Sequence, residues 1–75
     1  MKEIEDMVNK YIRASLKGID LSDDFLNFFA VLSPTQQEYC GKLYDIMDGF
    51  YCGKYSRETA GQKYRALKNE YENYA

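Results

Sequence analysis

The segment Val31-Leu32-Ser33-Pro34-Thr35-Gln36 joins an apolar run to a helix start and leaves no room for a loop. A serine ahead of a helix accepts a backbone N–H through its side chain, and a glutamine three residues later reaches back to the serine's own N–H. Proline is suited to the first helical position, where φ is already helical and no N–H is required. Ser33, Pro34 and Gln36 therefore start a helix at residue 34 and force the apolar stretch before it to end. Whatever this chain folds into must contain a sharp corner at Ser33.

Three more helices follow from period and punctuation. Ile4, Met7, Val8, Tyr11, Ile12 and Ser15 form a helical stripe over about 2–17. Glu3, Glu5 and Asp6 open it and Lys10, Arg13 and Lys17 close it, which complements the helix dipole, with Asp6 and Lys10 at ion-pair spacing. Gly18 is the stop. The second helix spans about 23–32, with Ser22 as cap, Asp23 and Asp24 in the first turn, and Leu21 and Leu26 placed for a hydrophobic staple. Phe25, Leu26, Phe28, Phe29, Val31 and Leu32 leave it almost no polar side, the pattern of a helix buried all round. The third helix carries Tyr39/Cys40, Leu43, Ile46/Met47 and Phe50 in steps of three and four. Phe50 holds this phase beyond Gly49, so the helix is read as 34–52 with Gly53 as its left-handed stop; an end at Gly49 is the alternative. Alanine should be tolerated at position 49 on this reading. The fourth helix covers about 57–74, capped by Ser56, with a seam at Ala60, Tyr64, Leu67, Tyr71 and Tyr74. No stretch alternates in the manner of a strand. The expected fold is all-α, a single four-helix domain over 1–75 with helices three and four as an antiparallel hairpin.

A chain of 75 residues has little core to draw on. Eight of its aromatic residues are tyrosine and four are phenylalanine. Tyrosine has an apolar body and a polar tip, which suits half-buried positions and interfaces, so the core is either economical or shared with another chain. The second helix favours sharing, since thin helices cannot surround a fourth completely. Phe25, Phe28, Phe29, Tyr51 and Tyr55 are the candidate protein-interface residues, and a homodimer is the expected assembly. The start MKEIEDMVNKY lacks the apolar core of an export signal, and FFAVL is too short to span a bilayer. With two cysteines, the reading is a cytoplasmic protein with no membrane partner.

The tetrapeptide YCGK occurs at 39–42 and again at 51–54. Copies twelve residues apart on one helix differ by roughly 120° in direction and lie ~18 Å apart, so they do not converge on one ligand. Cys40 reads as core filler, Gly41 as a point of close helix approach and Gly53 as a helix stop. With no histidine, a metal site or an activated serine or cysteine has little to draw on. Asp20, Asp23 and Asp24 lack the glycine and closing glutamate of a calcium loop. Asp45 and Asp48, though paired on a helix, read as a solvated face. No cofactor, metal, small-molecule substrate or enzymatic activity is implied.

Two stretches resemble known modules. LSPTQQEYCGKLYDIMDG and the following YSRETA resemble the opening helices of helix-turn-helix domains of the LuxR and sigma type. This resemblance implies DNA binding, for which Lys54, Arg57, Lys63, Arg65 and Lys68 are the candidate phosphate contacts. Such domains need a separate recognition helix after a turn, whereas 57–74 reads as one helix. LYDIMDGFYCGKYSRETAGQKYRAL, residues 43–67, resembles the short helical hairpins known as SHOCT domains, through Gly53, Tyr55, Ser56, Glu58, Lys63 and Leu67. That resemblance implies a small interaction and oligomerisation element. The reading adopted is a non-enzymatic protein-binding module, a small regulator or inhibitor of the size of bacterial or phage accessory proteins, with a helix-turn-helix-like DNA-binding regulator as the alternative.

Overall fold

The computed structural model describes residues 2–72. Four helices follow in order, α1 Lys2–Leu16, α2 Ser22–Ala30, α3 Pro34–Tyr51 and α4 Arg57–Tyr71, with no strand among the described residues. The expected all-α domain with an antiparallel α3–α4 hairpin is what the chain forms. The stretch of the fourth helix assigned to 73 and 74, with Tyr74 of its seam, lies outside the described residues.

The helix ends obey local chemistry. Ser33 Oγ accepts from the Gln36 N–H at 3.2 Å and Gln36 Oε1 accepts from the Ser33 N–H at 3.0 Å, completing the capping box. Ser56 Oγ accepts from the Thr59 N–H at 3.1 Å at the start of α4. Gly18 and Gly53 have φ of 79° and 82°, the left-handed conformation that disfavours any side chain. Each sits in a six-to-one, five-to-two closure: Ile19 N–H to Ala14 O and Gly18 N–H to Ser15 O after α1, Lys54 N–H to Gly49 O and Gly53 N–H to Phe50 O after α3. The helix thus runs past Gly49. One YCGK copy lies within α3, and the other is its last residue and the turn that follows.

Expectations at α2 are corrected. The helix stops at Ala30 because Ser33, as the residue before proline, is held extended at ψ 161°, and the chain tightens through Val31 and Leu32 to reach it. Leu21 is its N-cap and has no side-chain bond to offer; Asp20 Oδ1 instead accepts from the Ser22 N–H at 2.9 Å and the Ser22 hydroxyl at 2.5 Å, the role expected of Ser22. Leu26 is 61% exposed, so it forms no buried staple. Gln37 Nε2 donates to Phe29 O at 3.1 Å, which ties the end of α2 to the first turn of α3 at the corner.

The core lies on α3. Tyr39, Cys40 and Leu43 are at most 1% exposed, and α1 and α4 both pack against them. From α1 come Ile4, Val8 and Ile12, spaced by four so that they share one face, and from α4 come Leu67 and Tyr71. Ser15 of the expected α1 stripe is exposed, Ala14 is buried in its place, and Asp6 and Lys10 form no ion pair. Helix α2 rests chiefly on α1. The result is a slab of 35 × 32 × 14 Å, little more than one helix diameter thick.

Two glycine expectations are also corrected. Gly41, expected at a close helix approach, is exposed, and a Cβ there would meet nothing within 4 Å. Gly49 holds that role instead: a Cβ would lie 2.5 Å from Cε2 of Tyr55, whose ring lies on the glycine. Its carbonyl also receives the N–H groups of both Lys54 and Tyr55, so the whole α3–α4 turn is seated on Gly49.

Leu43→Ala and Leu67→Ala should each lower unfolding free energy by ~2–5 kcal/mol in urea titration, with the larger loss at Leu43 because it is fully enclosed. Gly49→Ala should destabilise the parent, because Tyr55 must move. In a Tyr55→Ala background the same change should stabilise by up to ~1 kcal/mol, as alanine does in an open helix interior. A thermal-denaturation double-mutant cycle with no coupling would show that the ring does not hold this seat.

Candidate functional site

The tyrosines explain how so thin a slab holds together. Four of them, Tyr11, Tyr51, Tyr64 and Tyr71, place the ring against the core and extend the hydroxyl to a group on a different helix. Tyr51 of α3 donates to Asn9 Oδ1 of α1 at 2.8 Å, and Tyr64 of α4 donates to Glu5 Oε1 of α1. Tyr71 of α4 donates to Glu38 Oε1 of α3 at 2.6 Å, with its ring edge-on to Tyr39 at 5.5 Å. Tyr11 of α1 lies 3.5 Å from the Ser22 hydroxyl of α2. Lys42 adds a cation above the Tyr71 ring, 5.2 Å from its centroid, with Glu38 at 3.3 Å and Glu70 at 3.5 Å.

This network sets the protonation preferences at the α3–α4 contact. The Tyr71 hydroxyl, then Lys42, hold the Glu38 carboxyl below the ordinary glutamate range. Tyr71 is pushed up by the same bond to Glu38, and Lys42 is raised by the Tyr71 hydroxyl and Glu38. The directions agree, since the arrangement needs a protonated phenol, an ionised carboxylate and a charged amine. Burial pushes Tyr39 and the Cys40 thiol up, which keeps Cys40 a packing group.

Several recesses open on the surface. One lies where α1, α3 and α4 meet, floored by Ile46, Met47, Phe50 and Tyr64, with a volume of about 360 Å³. A larger one, about 710 Å³, lies between α2 and α3. Its wall is aromatic: Tyr11 stacks on Phe25 at 4.7 Å, Phe25 lies 6.4 Å from Phe29 and 6.3 Å from Tyr44, and Tyr11 lies 6.0 Å from Tyr44. Leu26 stands at its edge, and Gln37, Gly41 and Asp45 form the α3 lip.

The structure distributes the sequence candidates unevenly. Phe25 and Phe29 line the α2–α3 cleft; Phe28 is half-buried and packs on the core. Tyr51 and Tyr55 belong to the far end of α3 and the turn after it, so the five do not form one patch. The expectation that α2 is buried all round is overturned, because no residue of α2 is fully buried. Its three rings turn inward while Leu26 and Val31, 61% and 82% exposed, turn out. Sequence reasoning missed Leu26, Val31, Tyr11, Tyr44 and Gly41 as surface features. A helix apolar on every side carries no signal of which side faces in.

The basic residues are split as well. Lys54 and Lys63 lie over the ring of Tyr55, 5.4 Å and 4.9 Å from its centroid. Lys68 lies over Tyr64 at 5.9 Å, and Arg57 borders the smaller recess. Arg65 folds back along its own helix toward Gly61. At about 100° per residue, Lys63 flanks one side of the buried α4 stripe and Arg57 and Lys68 flank the other. Helix α4 is continuous through Gly61. Among the described residues no group of three His, Cys, Asp or Glu side chains could hold a metal ion, and no helix is long and apolar enough to cross a membrane. Comparison with known protein families, characterised proteins and solved structures found no match.

Because the folded state holds Glu38 below its ordinary range, the contribution of this contact is complete above the unfolded carboxylate value and lost as pH falls through the folded one. The melting temperature of the parent should therefore drop more steeply between about pH 5 and about pH 3 than that of Tyr71→Phe, which keeps the ring and lacks the hydroxyl. Parallel profiles by circular dichroism would show that the Tyr71–Glu38 bond adds nothing.

Proposed function

We propose that this chain is a non-enzymatic protein-binding module, a small regulator or inhibitor that meets its partner through α2 and the cleft beside it. One observation carries the reading: an apolar helix contributes no fully buried residue, and its Leu26 and the Val31 that follows it are 61% and 82% exposed to solvent. Exposed apolar surface that the fold leaves uncovered on a small domain is the usual mark of an interface. The outline shared by residues 43–67 and SHOCT modules, which implies an interaction element, is consistent with it. A second copy of the chain is one candidate for the covering surface, which would make the module a homodimer. The helix-turn-helix alternative gains no support from basic residues that flank both sides of α4.

The test uses the tagged chain expressed in its native host. Leu26→Glu with Val31→Glu should retain the parent's helical circular dichroism and lose the co-purifying protein, or, for a homodimer, the concentration-dependent mass in sedimentation. Unchanged recovery and unchanged mass would exclude α2 as the binding surface. Retention on DNA that falls steeply with salt would favour the DNA-binding alternative.

A further inference from the structure

We propose that the α2–α3 cleft is a groove for a basic amphipathic helix supplied by a different protein, whose backbone passes close to Gly41. This deepens, and rests on, the protein-binding reading above.

The first observation is Gly41 itself. The fold accounts for the other glycines differently: Gly18 and Gly53 need positive φ, Gly49 seats the Tyr55 ring, and Arg65 folds over Gly61. Gly41 lies inside α3, exposed, with nothing within 4 Å of an added Cβ. Alanine would suit this helix better, so no contact within the chain calls for glycine here. The position is on the lip of the larger cleft, where a missing side chain leaves a notch for another backbone.

The second observation is the cleft's wall. Tyr11, Phe25, Phe29 and Tyr44 form a continuous aromatic surface, and Leu26 extends it outward. An occupant with small and apolar residues at i, i+3, i+4 and i+7 would cover it.

The third is charge. Glu38 and Asp45 line the α3 side of the cleft, and Asp20, Asp23 and Asp24 cluster at the start of α2, around Ser22, which lines the cleft. The one base lining the cleft, Lys42, is turned toward Glu38 and Glu70. The α3 side and the α2 N-terminus are therefore net acidic and complement a helix that carries lysine or arginine beside its apolar stripe. This chain cannot supply such a helix to a second copy. The basic positions of α1 and α4 belong to helices whose apolar stripes are already buried in their own core.

The experiment uses the full chain, labelled with nitrogen-15, and two synthetic helical peptides. They share one stripe of leucine and alanine and differ only in flanking lysine or glutamate. The lysine peptide should bind about tenfold or more tighter than the glutamate peptide. Its amide shifts should centre on Leu26, Phe29, Gly41 and Tyr44. Gly41→Gln should melt no lower than the parent and weaken the lysine peptide by about tenfold or more, and Asp23→Lys with Asp45→Lys should reverse the preference. Binding that ignores Gly41→Gln, shifts centred elsewhere, equal binding of both peptides or binding of neither overturns the proposal. So does a parent dimer that Gly41→Gln converts to monomer, which would make the occupant a second copy. A chain that binds neither peptide but recovers a host protein through Leu26 and Val31 loses this inference and keeps the protein-binding reading.

Discussion

The burial of Tyr39, Cys40 and Leu43 on one face of α3 is the contact on which the other helices depend. Helices α1 and α4 both pack against that face, and α2 reaches the core mainly through its contact with α1. A slab 14 Å thick has almost no volume remote from solvent. Purely aliphatic residues at its rim would leave polar helix surfaces unconnected. Tyrosine meets both demands, with a ring large enough to cover the core and a hydroxyl that reaches a neighbouring helix. Tyr51, Tyr64 and Tyr71 each join two helices in this way. The tyrosine-rich composition therefore serves an economical core first. Removal of a hydroxyl loosens a contact between helices, whereas removal of Leu43 empties the centre.

The corner at Ser33 explains why α2 differs from the rest. Proline and the capping box fix the start of α3, the residue before proline is held extended, and α2 has only nine residues in which to pack. Three phenylalanines on so short a helix all turn toward α1 and the core, and Leu26, Asn27 and Ala30 are left exposed. The aromatic cluster anchors α2 at one edge and leaves a cleft against α3. The exposed Leu26 and Val31 follow from this single geometric fact.

Much of the fold was legible from residues alone, because caps, left-handed glycines and apolar period act locally. Ser33-Pro34, Ser56, Gly18 and Gly53 all mark the ends that they mark in the structure. What could not be read depends on tertiary contact. Gly49 and Gly41 are both helix-interior glycines, and only the position of the Tyr55 ring distinguishes the one that seats a side chain from the one that faces open space. Asp20 rather than Ser22 serves the start of α2, a choice made by the path of the loop after Gly18. The inner and outer sides of α2 are hidden in the sequence because its apolar residues leave almost no polar side, so nothing there separates the rings, which pack inward and line the cleft, from the exposed Leu26 and Val31. Tyr51 and Tyr55 read as interface aromatics because a tyrosine's apolar ring and polar tip suit an interface as well as a rim; in the fold one is bonded to Asn9 and the other is seated on Gly49.

The central claim is that α2 is attached to the domain but left uncovered by it. Native-state hydrogen exchange measures this directly, since protection follows how deeply each helix is built into the cooperative core. In the isolated chain, amides of α2 should exchange well before those of α1 and α3, whose slowest members should report global unfolding. Amides of α2 as slow as those around Tyr39 and Leu43 would contradict the account, because they would show that the helix is already fully enclosed without a partner.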